Sequence, residues 1–536
     1  MALTLATVLA AGNVATAQGT IAADEPVWDQ VTTRVSVDRS GGQANGQSEL
    51  LLFNQAISGD GRFVVFRSYA TNLVPGDTNR VPDIFLHDRL TGETSRVSVS
   101  SQGKQPNAYS STPSISADGR YVAFASWATN LVPGDGNDVD DVFVHDRLTG
   151  ETTRVSVDSM GTEGDDRSYR PSTSGDGRYV AFHSKATNLV SGDVNNMKDV
   201  FVHDRLTGET TRVSVDSKGT EGNGDSGDYW PSISPDGRYV AFCSEATNLV
   251  PGDMNEAIDV FVHDRVTRET TRVSVDSTGD EGDSVSWCPS ICTGGRHVAF
   301  NSFATNLVAG DTNGVYDVFV HDRLTATTTR VSVDSTGAQV EFDSWSPAIS
   351  GDGRYVAFHS SATFDQEGST AANDVFVHDR LTHRTWAASV NYWGVVQILR
   401  GWNDSASISA DGRYVAFEGV GAGLVQGDTN ADVDVFVRGP ELTLDAEPTA
   451  VIPNSVLTLT EYKGVAGNLA SLWALDLNGV ATFLLVASGG FGADGNFVVS
   501  GVVPDFLSGG TVTFRGYAVG HSGSRVQTND VRVSFQ

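Results

Sequence analysis

SADGRYVAFASWATNLVPGDGNDVDDVFVHDR, Ser116 to Arg147, returns in altered copies about every 58 to 60 residues between Ser58 and Arg438. A period of this length with strand-like content marks a stacked or radial repeat fold, in which no single unit buries its own apolar face. Each copy divides into four strands, here named a to d. An Asp-Gly turn joins a to b, as at Asp118-Gly119, Asp176-Gly177, Asp236-Gly237, Asp352-Gly353 and Asp411-Gly412, with Gly294-Gly295 in the fifth unit; the glycine supplies the positive φ of a tight hairpin. Strands b (Tyr121 to Phe124) and c (Val142 to Val144) are nearly continuous apolar runs, the pattern of central strands covered on both faces. Strand d alternates, Val155 and Val157 on one side and Arg154 and Ser156 on the other, which predicts an outer strand with one wet face.

Counting the copies predicts how the array ends. Strands a, b and c occur seven times, with c beginning at Asp83, Asp141, Asp199, Asp259, Asp317, Asp374 and Asp434. The last c runs into Gly439-Pro440 with no d behind it, whereas Thr32 to Asp38, TTRVSVD, is an extra d ahead of the first unit. The N-terminal strand should therefore complete the seventh blade. A ring closed in this way has no long unpaired edge and needs no capping repeat, so it should be stable as a monomer.

These residues carry a family resemblance. SPDGRYVAF at Ser234 to Phe242 followed by DVFVHDRVT resembles the WD-like repeat of TolB-type β-propellers over about residues 32 to 439. The resemblance implies an exported bacterial propeller, often a binding or scaffold module, and implies no particular reaction. The expected fold is all-β: a seven-bladed propeller over 32–439, then a small Ig-like β-sandwich over 440–536, where short apolar runs alternate with Gly, Asn, Asp and Pro. Residues 1–17 read as a signal peptide ending at Ala15-Thr16-Ala17, though without a basic start, and 18–31 as a linker. The protein is thus expected in the periplasm, at the cell surface or secreted.

Acidic residues outnumber basic ones by 66 to 36, for a net charge of −30. That field repels phosphate backbones and anionic lipid, so nucleic acid and membrane insertion are not expected. It favours cations instead. Three cysteines are too few for a disulfide scaffold, but Cys243 and Cys288 fall at the same end of adjacent blades and form a candidate pair.

The a-b and c-d turns are short and share one face of the ring, while the long b-c and d-a loops share the other, where binding residues are expected. Two repeated features lie there. The first is D-x-N-x-x-x-D in the b-c loop: Asp77/Asn79/Asp83, Asp135/Asn137/Asp141, Asp193/Asn195/Asp199, Asp253/Asn255/Asp259, Asp311/Asn313/Asp317 and Asp428/Asn430/Asp434, with only Asp374 kept in the sixth unit. Its oxygens suit calcium, and equally suit Asx-turns that shape the loop. The second is an aromatic column before strand a, Phe53, Tyr169, Tyr229, Trp287 and Trp345, which either circles the channel mouth to bind a glycan or protein or packs between blades.

The histidines of HDR (His87, His145, His203, His263, His321, His378) recur in six units, so they read as structural hydrogen bonds at the c-d turn rather than catalysts. The position after strand b's Phe varies instead: Arg67, Ala125, His183, Cys243, Asn301, His359 and Glu418. Some TolB-like propellers are lyases of pectic oligosaccharides with a histidine-bound metal, but His183 and His359 fall in nearly opposite blades, on the order of 20 Å apart, too far to share an ion. The sequence thus favours a non-catalytic binding or scaffold protein. The alternative is a carbohydrate-active lyase or hydrolase with its site in the channel, and a structural surface protein is a third reading.

Overall fold

The computed structural model describes residues 30–51, 55–362, 364, 374–390, 406–420, 423–430 and 432–440, and eight short strands between 456 and 534. The expected signal peptide, most of the expected linker and Phe53 lie outside the described residues. The chain divides into two compact units, 1–442 and 443–536.

The first unit contains seven four-stranded antiparallel sheets. In blade 2 the strands are Ser110–Ile115, Tyr121–Ser126, Asp141–Asp146 and Glu151–Arg154, paired in the order a-b-c-d. Blade 7 is made from both ends of the ring: Gln30–Arg34 pairs with Asp434–Pro440, Thr32 opposite Arg438 and Arg34 opposite Phe436, and the Val35 amide donates to the Val435 carbonyl at 2.8 Å. The expected closure is therefore present, its strand starting two residues earlier than the repeat suggests.

Strands b and c are buried almost throughout because neighbouring blades cover both faces. Phe124 and Phe143 stack across them at 5.9 Å, and the pair recurs in other blades. The Asp-Gly turn joins one blade to the next. Gly177 has φ +67°, and a Cβ there would come within 2.3 Å of the Tyr121 ring of the preceding blade, so both backbone shape and close approach require glycine. The Arg205 guanidinium sits 4.3 Å from the same ring. The closing seam is built in the same way: Gly61 approaches Tyr414, and Arg89 lies 4.7 Å from its ring.

Beside these turns the backbones form a girdle around the channel. Gly59 donates to Ala117, Ala117 to Gly175, and Gly175 to Pro235; Thr293 donates to Gly351, Gly351 to Ala410, and Ala410 back to Gly59. Pro235 has no N–H, so the link from blade 4 to blade 5 is the one missing.

Strand d departs from the expected pattern. It ends at Arg154, after which Val157 bridges Glu163 in the following loop. Its supposed wet face is covered, because Arg154 and Ser156 turn into the b-c loop, where Ser156 is fully buried and donates to Asp141.

The described elements of the second unit are eight β-strands. Val456–Leu459 pairs with Val499–Val502, Thr511–Phe514 with Val531–Ser534, and a four-stranded sheet runs Ala487–Gly490, Leu469–Leu472, Tyr517–Val519, Arg525–Gln527. No helix among the described residues is long and apolar enough to cross a membrane.

Candidate functional site

The D-x-N-x-x-x-D loops are organised around an arginine. In blade 2 the Asp141 carboxylate is fully buried and accepts from Ser156 Oγ, Asn137 Nδ2 (3.1 Å) and Arg154 Nη1 (3.1 Å). The same Arg154 nitrogen lies 3.3 Å from Asp135 and 2.7 Å from Glu163. Arg96 takes this place in blade 1, against Asp77 and Asp83, and Arg330 in blade 5, against Asp311 and Asp317. Arg212 and Arg272 do so in blades 3 and 4. In blade 7 it is Arg34 of the closing strand, against Asp428 and Asp434.

The asparagines depart from the calcium expectation. A metal would need their side-chain oxygens, but each turns its NH2 group toward the carboxylate four residues on. Asn79 Nδ2 donates to Asp83 (3.0 Å), Asn195 to Asp199 (3.5 Å), Asn255 to Asp259 (3.2 Å), Asn313 to Asp317 (2.9 Å) and Asn430 to Asp434 (3.3 Å), as Asn137 does to Asp141. The same nitrogens also donate to main-chain carbonyls of the following d-a loop, those of Pro106, Gly164, Gly222, Gly282, Val340 and Ala44. A carbonyl can only accept, which fixes the amide's orientation. The oxygens of Asn79, Asn137, Asn195, Asn255 and Asn430 accept from the amide two residues on, the Asx-turn. Asn79, Asn137, Asn195, Asn255, Asn313 and Asn430 are thus struts of the loop rather than the metal ligands that their spacing suggests.

Three carboxylate groups, Asp135/Asp141/Glu163, Asp193/Asp199/Glu221 and Asp253/Asp259/Glu281, bring their oxygens within 4.8 Å of one another and could hold a metal ion. Arginine already lies at the centre of each. Burial, then the neighbouring Asp141, Asp199 and Asp259 charges, push Asp135, Asp193 and Asp253 up to about 6. Gln105, Gln339 and Gln43 stand where three other loops lack the glutamate, so the fold needs a hydrogen-bonding group there rather than a third carboxylate.

The HDR histidines make the expected hydrogen bond. His145 Nδ1 lies 2.9 Å from Thr152 Oγ1, which donates its only proton to the Val99 carbonyl at the end of the preceding blade's outer strand. The imidazole must therefore carry its proton on Nδ1 and donate it. Burial holds His87, His203, His263, His321 and His378 down to about 4.

At the channel mouth the strands show that two of the sequence columns are one. Tyr169 pairs with His183, Trp287 with Asn301 and Trp345 with His359. In blade 1 the residue at this register is Glu49, paired with and salt-bridged to Arg67. Blade 4 carries an insertion and presents Tyr229 beyond it.

In blades 2, 3, 5 and 6 a bulge follows this position, and there and at the insertions of blades 1 and 4 one residue is left-handed without being glycine: Leu51 (φ 53°), Thr112 (46°), Arg170 (54°), Trp230 (48°), Cys288 (55°) and Ser346 (57°). Such residues cost on the order of 1–3 kcal/mol each and persist only where the surroundings hold them.

The mouth is asymmetric. Tyr229, Trp287, Tyr316 and Phe303 form a run of ring contacts at 4.7, 5.1 and 5.1 Å, while Trp345 lies against His359 at 5.1 Å. Elsewhere on the mouth the Tyr109 and Tyr169 hydroxyls both donate to Asp140 Oδ2, at 3.0 and 2.8 Å. Beside them opens a cavity of about 440 Å³ lined by residues of blades 1 to 4, among them Arg67, Tyr109, Tyr169, Arg170, Asp228 and Trp230. Lys198 reaches it with both Asp228 oxygens at 2.7 Å, and Arg170 lies over Trp230 at 3.9 Å.

No protein-family profile and no curated protein matches the sequence. Among solved structures it is similar to the putative TolB of Agrobacterium tumefaciens, at 15% identity and TM-score 0.34, over 65% of this chain and 95% of that one. It is also similar to a prolyl endopeptidase, at 10% identity and TM-score 0.41 over 90% of this chain and 54% of that one, and to the tricorn protease, at 10% and 0.23 over 89% and 48%. The ring is a seven-bladed β-propeller.

Within this propeller His183 is buried, its Nδ1 donating to the Gly227 carbonyl at 2.7 Å, and burial holds it and His359 down to about 3. Both are neutral side chains packed inside the ring. The Cys243–Cys288 bridge is not formed: both are buried thiols. Cys288 is the bulge residue of its blade, so its Cβ leaves the regular alternation of the strand although both cysteines lie at the same end of adjacent blades. Sequence reasoning missed Arg170, Trp230, Asp140 and Tyr109. It also missed the loop arginines, for which a signal was present: the sixth unit lacks both D-x-N and the arginine, having Ala387 at that position.

Proposed function

We propose that this chain is an exported, non-catalytic binding or scaffold module that holds a protein or glycan on the long-loop face of its propeller. The observation that carries this is the left-handed residue at the mouth of six blades, which differs each time while the scaffold behind it repeats. In blades 1 to 4 that residue, Leu51, Thr112, Arg170 or Trp230, lines the cavity. Asp228, the carboxylate at the cavity, is neutralised by Lys198, and no second carboxylate lines it among the described residues. Paired carboxylates are what glycoside hydrolysis uses, so the lining supports binding. Glycan and peptide arrays test the reading. Trp287→Ala and Trp345→Ala are expected to abolish the dominant signal at an unchanged circular dichroism spectrum; arrays without any signal for the native protein would overturn it.

Calcium is an alternative occupant of the carboxylate groups, and we infer that arginine fills that role. A chelator should leave the native melting temperature unchanged. Arg272→Ala, which strips the counter-charge from Asp253, Asp259 and Glu281, should lower it and make it rise again with millimolar calcium. A chelator that destabilises the native protein would restore calcium as the resident ion.

A further inference from the structure

The cavity beside Arg170 has the chemistry to recognise one anionic group. Among the described residues Arg170 makes no hydrogen bond and no ion pair; its guanidinium lies over Trp230 and lines the cavity. The neighbouring cations are committed, Lys198 to Asp228 and Arg67 to Glu49. Burial pulls the Arg170 guanidinium below its ordinary range, and Asp228, whose charge opposes that shift, is already bonded to Lys198. Thr112 Oγ1, on the same wall, is buried without a hydrogen-bond partner. Arg170, Trp230 and Thr112 are all left-handed, so the strained positions converge on this wall.

Resting on the reading of this face as a binding surface, we propose that the cavity receives the free C-terminal carboxylate of a polypeptide, held by the Arg170 fork. A planar guanidinium grips a carboxylate through two parallel bonds, and does so most strongly where water is partly excluded. Charge selects a chain end over a polyanion. The molecule carries −30, and Asp165, Asp166 and Asp225 lie in the d-a loops of blades 3 and 4, so a ligand charged along its length is repelled while a single terminal carboxylate behind neutral or basic residues is not. The chain end enters end-on rather than as an added strand. Backbone amides of the inner strands are taken by the neighbouring blade, Thr173 by Ser114 Oγ and Ile233 by Ser172 Oγ, each at 3.1 Å.

The test uses the full-length protein and two fluorescein-labelled hexapeptide libraries identical except at the terminus, one free acid and one amide, with lysine or arginine enriched at the fourth and fifth positions. Fluorescence anisotropy should show the acid binding about 10- to 100-fold more tightly than the amide, the range of one charge-assisted hydrogen-bonded contact. Arg170→Gln should erase that difference, and 0.5 M salt should weaken the acid alone. The acid–amide comparison is made on the native protein, so it holds even if Arg170→Gln disturbs Trp230. Equal binding of acid and amide would overturn the proposal and leave the binding-face reading standing. So would capture of an acidic sugar in place of peptides. Failure of both peptide libraries and of the glycan array would overturn both.

Discussion

Acidification from pH 7 is expected to unfold the propeller in one steep transition centred between pH 4 and 5.5. His87, His203, His263, His321 and His378 are held near 4, and His183 and His359 near 3, by burial within the ring. In the unfolded chain each titrates near 6.5. Below that value the unfolded chain binds more protons than the folded one, so the stability these groups contribute is complete above pH 6.5 and is lost as pH falls toward their folded values. Each costs about 1.4 kcal/mol per pH unit in that window. Two units across seven groups is on the order of 15–20 kcal/mol, more than the roughly 5–15 kcal/mol that stabilises a typical domain. The loop carboxylates act in the opposite sense. Asp135, Asp193 and Asp253, raised to about 6, stabilise the fold as pH falls through that value, and burial raises Asp83, Asp141, Asp199, Asp259 and Asp317 in the same sense, so the histidine figure is an upper bound on the net loss. Tryptophan fluorescence and circular dichroism against pH at constant ionic strength measure the transition, and His203→Gln with His263→Gln should move its midpoint to lower pH. A native spectrum persisting at pH 3.5 would show that the imidazoles are not held neutral.

Removing residues 30–38 is expected to have a comparable effect by opening the ring. It takes away the partner of Asp434–Pro440 and the guanidinium that neutralises Asp428 and buried Asp434. Uncompensated buried charge alone costs about 3–5 kcal/mol. The exposed edge of Val435 to Val437 adds a route to association. Size-exclusion chromatography should show soluble aggregate, with a melting temperature lower by roughly 10 °C or more, as the loss of several kcal/mol implies. Reinserting residues 30–38 after Pro440 through a four-residue turn should restore both, since the a-b-c-d order is then continuous. A shortened chain that melts like the native one would mean the strand does not close the ring.

The ring was legible because every blade repeats the same demands. The surplus TTRVSVD at the front and the missing strand behind Pro440 named the closing pair, and Asp-Gly turns marked each hairpin. The contacts within a blade were harder to read, since Arg154 sits thirteen residues after Asp141 and looks like the wet side of an alternating strand until the loop is folded over it. The asparagines of the same loops were ambiguous for a related reason: an amide offers oxygen to a metal or nitrogen to a carboxylate, and only the carbonyl that faces it decides which. Comparison across units held the answer in Ala387, where arginine and D-x-N disappear together. The mouth resisted for a different reason. Its register is set by insertions and by bulges, which leave Thr112, Arg170 and Trp230 in a conformation glycine would adopt more readily, so nothing in those residue types signals the turn.

The girdle at the short-turn end has a mechanical consequence. Six backbone bonds tie neighbouring blades there, and Pro235 leaves the joint between blades 4 and 5 without one. The ring thus behaves as a hoop with a clasp rather than a seamless band, and a load that spreads the blades concentrates at that joint. Side-chain contacts, such as the Ile291 amide donating to Ser232 Oγ, carry that joint at the short-turn end, between the arc of blades 1 to 4 and the arc of blades 5 to 7.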